Sequence, residues 1–408
     1  MPMAGDTSPA TRHARLLYLT AQFLKIGAIG FGGGMAVIAL IERECVRRRK
    51  CVEAEEFLHG VGLGQILGPF AVNAAIFIGY RMAGIFGGLV AATAFMLPSL
   101  ALVIALSWLY FTFHTIPSLQ GALAGVGPVV IALILSAAGT MGFKSLRHWP
   151  AVVLAILGCA GSLLHVNPVW LLIVSGATGL LLKLGYRIAS VPNPSGASSA
   201  SAVATSLGIA QKGYVSNVMA TATLPVVAAT TSLPTVSLTG LATTFLKVGL
   251  VFFGGGFVLI PVLYQHLVGD LGWLTQRQFT DGVAISQLTP GPIAVLATFA
   301  GYHLAGVSGA CLATAALMTP AILLMTLISR QYERFRNDER ALRFLAGVNP
   351  AVTGLVLSAA LLLGRDALGS WRGWLFGGIS LLAMRKLRWH PALLLAAGAV
   401  VGYAGMLP

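Results

Sequence analysis

The sequence predicts an all-α polytopic membrane protein built as two homologous repeats of inverted topology. Each repeat opens with two broken, re-entrant helical hairpins and continues into spanning helices. Three observations lead there. Of the 408 residues, 57% are hydrophobic and 9% charged, against about 25% charged in a soluble domain, and the mean hydropathy is +0.85. The chain overlays itself when shifted by 222 positions, Phe23 falling on Phe245. Equivalent loops of the two halves carry opposite charge patterns.

The repeat is sustained. "FLKIGAIGFGGGMAVIALIERECV" from Phe23 meets "FLKVGLVFFGGGFVLIPVLYQHLV" from Phe245. Phe57 meets Phe279, Gln65 meets Gln287, Gly79-Tyr80 meets Gly301-Tyr302 and Pro98 meets Pro320. "AGVGP" at Ala124 then meets "AGVNP" at Ala346. One register held from Phe23 to Pro128 marks a duplication rather than a chance likeness of two oily helices.

The charges give the two copies a direction. Arg43, Arg47, Arg48, Arg49 and Lys50 follow the first glycine triplet, whereas the matching loop near 264–277 offers only Arg277 and His266. Further on the bias flips: 112–120 holds no Lys or Arg, and 330–343 holds Arg330, Arg334, Arg336, Arg340 and Arg343. Basic loops stay on the cytoplasmic side, so equivalent loops face opposite sides, the signature of an inverted repeat. The net charge of +14 lies in short loops between apolar runs, so no nucleic-acid partner is expected. Cys45, Cys51, Cys159 and Cys311 show no metal spacing and read as free thiols.

Taken along the chain, residues 1–15 are a polar tail expected in the cytoplasm, with no signal peptide, since no cleavage site closes the apolar run that follows. The first repeat covers 16–187. Its opening run, Leu16 to Ile41, is long enough to cross, which takes about 20 apolar residues. Yet Arg12 and Arg15 precede it and the arginine cluster follows, so one crossing would strand a cluster outside. A hairpin broken at "GFGGG" satisfies both flanks. The same logic covers 57–80, broken at "LGP" and followed by Arg81, and 279–302, broken at "LTPGP". Spanning helices are expected at 84–111, 121–142, 150–165 and 168–182, then at 304–329, 344–363, 373–384 and 391–407. Residues 188–240 form a linker containing the Ser/Pro/Gly-rich "SVPNPSGASSASA" from Ser190; parity asks it for one more crossing, with 214–236 as the candidate. The second repeat covers 241–408.

Interrupted helices are tolerated in hydrocarbon only where protein or a water-filled cavity surrounds them, and paired interruptions in matching positions of two halves point to a transport site near the midplane. Four breaks stand here: Gly32-Gly33-Gly34, Gly254-Gly255-Gly256, Gly68-Pro69 and Pro290-Gly291-Pro292. Glycine supplies unusual backbone angles and close approach; proline suits a helix start. Each break then offers free N–H donors and the positive end of a helix dipole, a seat for an anion. Close packing of helices through small residues is the plainer explanation for any single triplet.

Lys25 lies ten residues beyond Arg15, roughly 15 Å along a helix, which is deep for an ammonium; Lys247 shares its register. Charges at such depth are costly and mark function, so both are candidate ligands or counter-ions, with snorkelled anchors as the alternative. Gln65 and Gln287 precede the Gly-Pro breaks, Asn73 adds an amide in the first half, and Ser286 and Thr289 add hydroxyls in the second. Each could touch an oxyanion or simply bond a nearby carbonyl. His59 matches Asp281, a titratable pair suited to proton coupling or to a solvated rim. "TQRQ" from Thr275 reads as a capping box.

In "FGGG" of both halves, "EEFLHGVGLGQILGP", "FTDGVAISQLTPGP" and the following "GY", the chain resembles the chromate ion transporter family in its long-chain, two-domain form. The resemblance covers nearly everything but the N-terminal tail and linker. It implies export of chromate across the bacterial inner membrane, with sulfate as the look-alike anion. The family's glycine motif falls on Gly32 to Gly34 and Gly254 to Gly256, and its Pro-Gly-Pro on Pro290, Gly291 and Pro292. The first half departs with "LGPF", and His59 stands where the family often has an acid.

The expectation is therefore a secondary transporter, not an enzyme, with no cofactor or metal: deep carboxylates for a metal cage and a nucleotide-binding Gly-x4-Gly-Lys-[Ser/Thr] loop are both missing from the sequence. A translocase for a lipid-linked phosphate, or a membrane enzyme acting on a phosphate-bearing lipid, are the rival readings. Partners are the oxyanion and membrane lipid; monomer and homodimer both stay open.

Overall fold

The computed structural model describes residues 11–30, 34–49, 51–66, 68–113, 116–146, 148–182, 236–252, 256–330, 339–387 and 389–405. The described chain is helical throughout, and its helices fall into two sets of seven in the same order. The first set is α1 (Arg12–Ile29), α2 (Gly34–Ile41), α3 (Ala54–Ile66), α4 (Phe70–Phe113), α5 (Pro117–Ser145), α6 (Trp149–Leu163) and α7 (Pro168–Leu181). The second is α8 (Leu238–Leu250), α9 (Leu259–Tyr264), α10 (Gln276–Leu288), α11 (Leu296–Arg330), α12 (Glu339–Ala367), α13 (Trp371–Leu382) and α14 (Pro391–Tyr403). Even the π-helical continuation of α2 (Glu42–Arg48) recurs after α9 (Gln265–Asp270). Helices α4, α5, α11 and α12 each contain a stretch long and apolar enough to cross a membrane.

Local chemistry sets the starts. Thr11 accepts from the Ala14 N–H (3.3 Å), so α1 begins at Arg12, inside the stretch expected as a tail. Ser237 likewise starts α8 at Leu238, ahead of the expected boundary at 241. Thr275 and Gln278 form the expected capping box at α10. Proline opens α5, α6, α7 and α14, where its missing N–H costs nothing. The candidate crossing at 214–236 lies outside the described residues up to Thr235.

Helices α4 and α11 fold back on themselves. The backbone turns at Ala83 (φ −141°, ψ 19°) and Gly84 (φ 68°, ψ −154°), and again at Ala305 (φ −149°, ψ 29°) and Gly306 (φ 61°, ψ −147°). After each turn the limbs approach so closely that any side chain on Gly79 would strike the Gly87 carbonyl, and one on Gly301 the Gly309 carbonyl. Each helix is thus a short limb followed by a long one.

The short limbs pair with the preceding helices as antiparallel hairpins. Gly64 lies against Asn73 and Gly60 against Phe77; in the second set Gly282 lies against Phe299. Helices α1 and α2 also return on each other, with Gly30 beside Val37 and the Arg49 guanidinium 5.8 Å from the Tyr18 ring. The starts and finishes of the first-set hairpins gather at one end: Arg15 donates to the Met82 carbonyl (3.3 Å), Arg12 lies 5.0 Å over Phe86, and Arg81 pairs with Glu56. The long limb of α4, residues 85–113, then runs roughly 43 Å at 1.5 Å per residue. At its far end it meets the mouth of the α10–α11 hairpin, where Phe111 stacks on His303 (4.6 Å) and Arg277 donates to the Gln120 carbonyl (3.2 Å).

The two sets interlock within one compact unit. Helix α12 packs on α6 and α7 of the first set, and α5 packs on α13 and α14 of the second. Glycines make these contacts possible: Gly347 sits against Ser175 and Gly179, and Gly125 against Gly398 and Gly402. Lipid offers helices no hydrophobic drive toward each other, so small residues and dense packing hold them. Phe23, Phe57 and Phe77, with their repeat mates Phe245, Phe279 and Phe299, are all completely buried.

Candidate functional site

The four helix breaks form a closed ring, each touching two others. Gly34, at the start of α2, faces the Phe70 ring at the start of α4. Gly68 lies against the Phe252 carbonyl at the end of α8. Gly256 faces Ile293, just ahead of α11. Gly291 closes the circuit, its N–H donating to the Gly30 carbonyl at the end of α1 (3.1 Å). Gly30 and Phe252 are repeat mates, so both Gly-Pro breaks are held by the end of the other repeat's first helix. Helix starts leave their first N–H groups without intrahelical acceptors.

Two ring glycines take angles that only glycine adopts readily: Gly68 at φ 118° and Gly291 at φ 103°. By their positive φ angles Gly68-Pro69 corresponds to Gly291-Pro292, a slip of one residue from the sequence register. Ser99 of α4 donates its buried hydroxyl to the Pro290 carbonyl and leaves no room for a side chain at Gly291. Sequence reasoning missed Ser99, whose repeat mate is Ala321; beyond its place next to Pro98, nothing in the chain marks it.

The other expected residues divide. Asn73 is fully buried and clamps its hairpin, Nδ2 donating to the Gly64 carbonyl (3.0 Å), while its Oδ1 has no partner. Ser286 donates to the Val283 carbonyl (2.7 Å) and Thr289 to that of Ser286 (3.0 Å), the plainer of the two roles expected for them. Gln287 is half-buried in the last turn of α10. Lys25 and Lys247 are exposed on the outer faces of α1 and α8. The reason is helix rotation: Gly27 packs on the Phe95 backbone and Gly249 on that of Leu317, which turns the lysines away from the interior. Gly32, Gly33, Gly254 and Gly255, with the side chains of His59 and Gln65, lie outside the described residues.

Asp281 sits toward the hairpin mouth, buried, and accepts from the Tyr110 hydroxyl (2.9 Å). Tyr110 also packs edge-on against Phe299 (5.4 Å). It was invisible to sequence reasoning because it lies in what reads as an ordinary spanning helix. Among the described residues no three His, Cys, Asp or Glu side chains group as a metal site.

A chromate transporter family model matches this chain twice, over residues 17–180 and 239–403. The chain belongs to the chromate transporter family. A probable chromate transport protein of Synechococcus elongatus is 30% identical over 375 residues, covering 91% of this chain and 90% of that protein. Chromate transport proteins of Cupriavidus metallidurans and Pseudomonas aeruginosa are 30% and 33% identical, covering 90% and 83% of this chain and 86% and 78% of their own lengths. No solved structure matches. Its relatives are named as transport proteins, and this member of the chromate transporter family is a helical membrane transporter rather than an enzyme. The two matched segments coincide with the two sets of seven helices.

Proposed function

We propose that this protein exports chromate, or a tetrahedral oxyanion of like shape such as sulfate, across the bacterial inner membrane. The anion sits in the ring of four breaks and is exposed to each side in turn as the hairpins rearrange. The observation that carries this reading is the ring itself: four interruptions far apart in sequence meet at one place. Among the described residues, none of the contacts that join the breaks is made by an acidic side chain, and donors at helix starts suit a dianion.

The repeats are read as inverted and their hairpins as re-entrant. In support, the first-set hairpins begin and finish beside Arg12, Arg15 and Arg81, while the α10–α11 hairpin opens at the far end of α4, beside Tyr110 and Phe111. Arg385, which lies 5.6 Å over Phe143 near the finish of α5, adds to the basic end. That end faces the cytoplasm by the positive-inside rule, with the N-terminus on the same side. Outward movement of a dianion then follows a negative-inside potential, worth about 2.3 kcal/mol per charge per 100 mV.

Lys25 and Lys247 enter this reading as fixed positive charges five residues from Gly30 and Phe252 that raise the potential at the ring. Asn73 in the first half, and Ser286, Gln287 and Thr289 in the second, line the approach to it, and Gln65 joins them as a candidate by sequence alone. Asp281, with His59 as its repeat mate, supplies a proton-exchanging group at the mouth. Everted membrane vesicles with an imposed potential test the proposal. They should accumulate chromate, and sulfate should compete; vesicles that accumulate neither anion would overturn it.

A further inference from the structure

The buried faces of the two long limbs carry a matched pair of hydroxyls that none of the described residues satisfies. Ser107 on α4 is 0% exposed and Ser329 on α11 is 3% exposed, and neither hydroxyl has a hydrogen-bond partner. They are repeat mates, 222 positions apart. A serine or threonine inside a helix ordinarily bonds back to a carbonyl one turn earlier, and others in these two helices do so. Thr93 bonds Leu89 (2.9 Å), Thr314 bonds Ala310 (2.8 Å) and Thr319 bonds Ala315 (2.7 Å). A buried donor left open is costly and calls for an explanation.

Position supplies one. Ser99, Ser107 and Tyr110 fall on one face of α4 by helical spacing. The flanking pair fixes what that face looks at: Ser99 bonds Pro290 in the ring, and Tyr110 bonds Asp281 at the mouth of the same hairpin. Ser107 therefore stands between the ring and the mouth, roughly 12 Å along the helix from Ser99. Ser329 holds the same register on α11, with Thr326, also buried at its hydroxyl and unpartnered, one turn before it.

Resting on the proposed transport, we infer that Ser107 and Ser329 are oxyanion-contacting residues, one in each half-path leading from the ring to an opposite face of the membrane. Each offers one neutral O–H donor to a tetrahedral dianion. A neutral donor holds the ion without trapping it, as a step along a path requires.

Initial rates of chromate uptake into everted vesicles test this with Ser107→Ala, Ser329→Ala and the hydroxyl-retaining Thr variants, at matched membrane abundance. Each Ala variant should raise KM about tenfold, as for loss of one hydrogen bond to a charged group, with the maximal rate within about twofold. Thr should restore the parental KM. Ser→Cys, which keeps the volume and weakens the donor, should fall between and covers the case of an Ala variant that does not fold. An unchanged KM in the Ala or Cys variants, with parental uptake intact, overturns the inference alone; absence of uptake by the parental protein overturns the proposed function and the inference with it.

Discussion

Tyr110 and Asp281 join the two repeats: the phenol of α4 donates to the carboxylate of α10 at 2.9 Å, and both residues are buried. Arg277 lies one turn before Asp281 on the same helix, and His303 stacks on the neighbouring Phe111. Asp281→Asn keeps an acceptor for Tyr110 but cannot exchange a proton. Uptake by that variant should lose its response to an imposed pH gradient while still following the membrane potential. Tyr110→Phe leaves the carboxylate without its donor and should lower stability in detergent by about 1–3 kcal/mol, read from chemical unfolding. A pH response surviving in Asp281→Asn would exclude Asp281 as the coupling group.

Glycines with positive φ differ in what surrounds them, which permits a graded test. Gly84 has nothing within reach of an added side chain, so Gly84→Ala should cost only backbone strain, about 1–3 kcal/mol. Gly68 and Gly291 combine positive φ with contact against Phe252 and Ser99. Alanine at either should destabilise more than at Gly84 and should also reduce transport at equal abundance. Equal losses at all three would show that the ring contacts are unimportant.

Lys25 and Lys247 are exposed, so Lys25→Gln and Lys247→Gln should leave folding intact. Between a unit charge and a dianion about 10 Å apart, an effective dielectric near 20 gives about 3.3 kcal/mol, so the KM for chromate should rise by about 300-fold at most, and less at high salt. Complete loss of uptake in either variant would instead place the ammonium in direct contact with the ion.

His390 caps α14, its Nδ1 accepting from the Ala392 N–H (3.3 Å), and burial lowers its pKa below the ordinary histidine value. Only neutral imidazole can accept this bond. The resulting stability is therefore fully present above about pH 6.5, the unfolded-state value, and is lost as pH falls through the lower folded-state pKa. Melting curves between pH 8 and pH 5 should show this loss. His390→Asn, which retains a capping acceptor without titrating, should flatten it.

Much of this architecture is legible in the residues. The duplication, the four breaks, the capping box at Thr275 and the long apolar helices α4, α5, α11 and α12 rest on local chemistry: glycine and proline interrupt helices wherever they stand, and an apolar run of about 20 residues is long enough to cross. The meeting of Gly291 with Gly30, of Gly68 with Phe252 and of Tyr110 with Asp281 is different in kind. These contacts join segments up to hundreds of residues apart, and they depend on how each helix is rotated about its axis. That rotation is settled by which glycine nests against which backbone, as Gly27 does on Phe95. It turned Lys25 outward, although its depth in the sequence marked it as a candidate ligand or counter-ion, and brought unremarkable Ser99 and Tyr110 to the hairpin. Periodicity gives a helix its buried face; only packing against a partner says what that face meets.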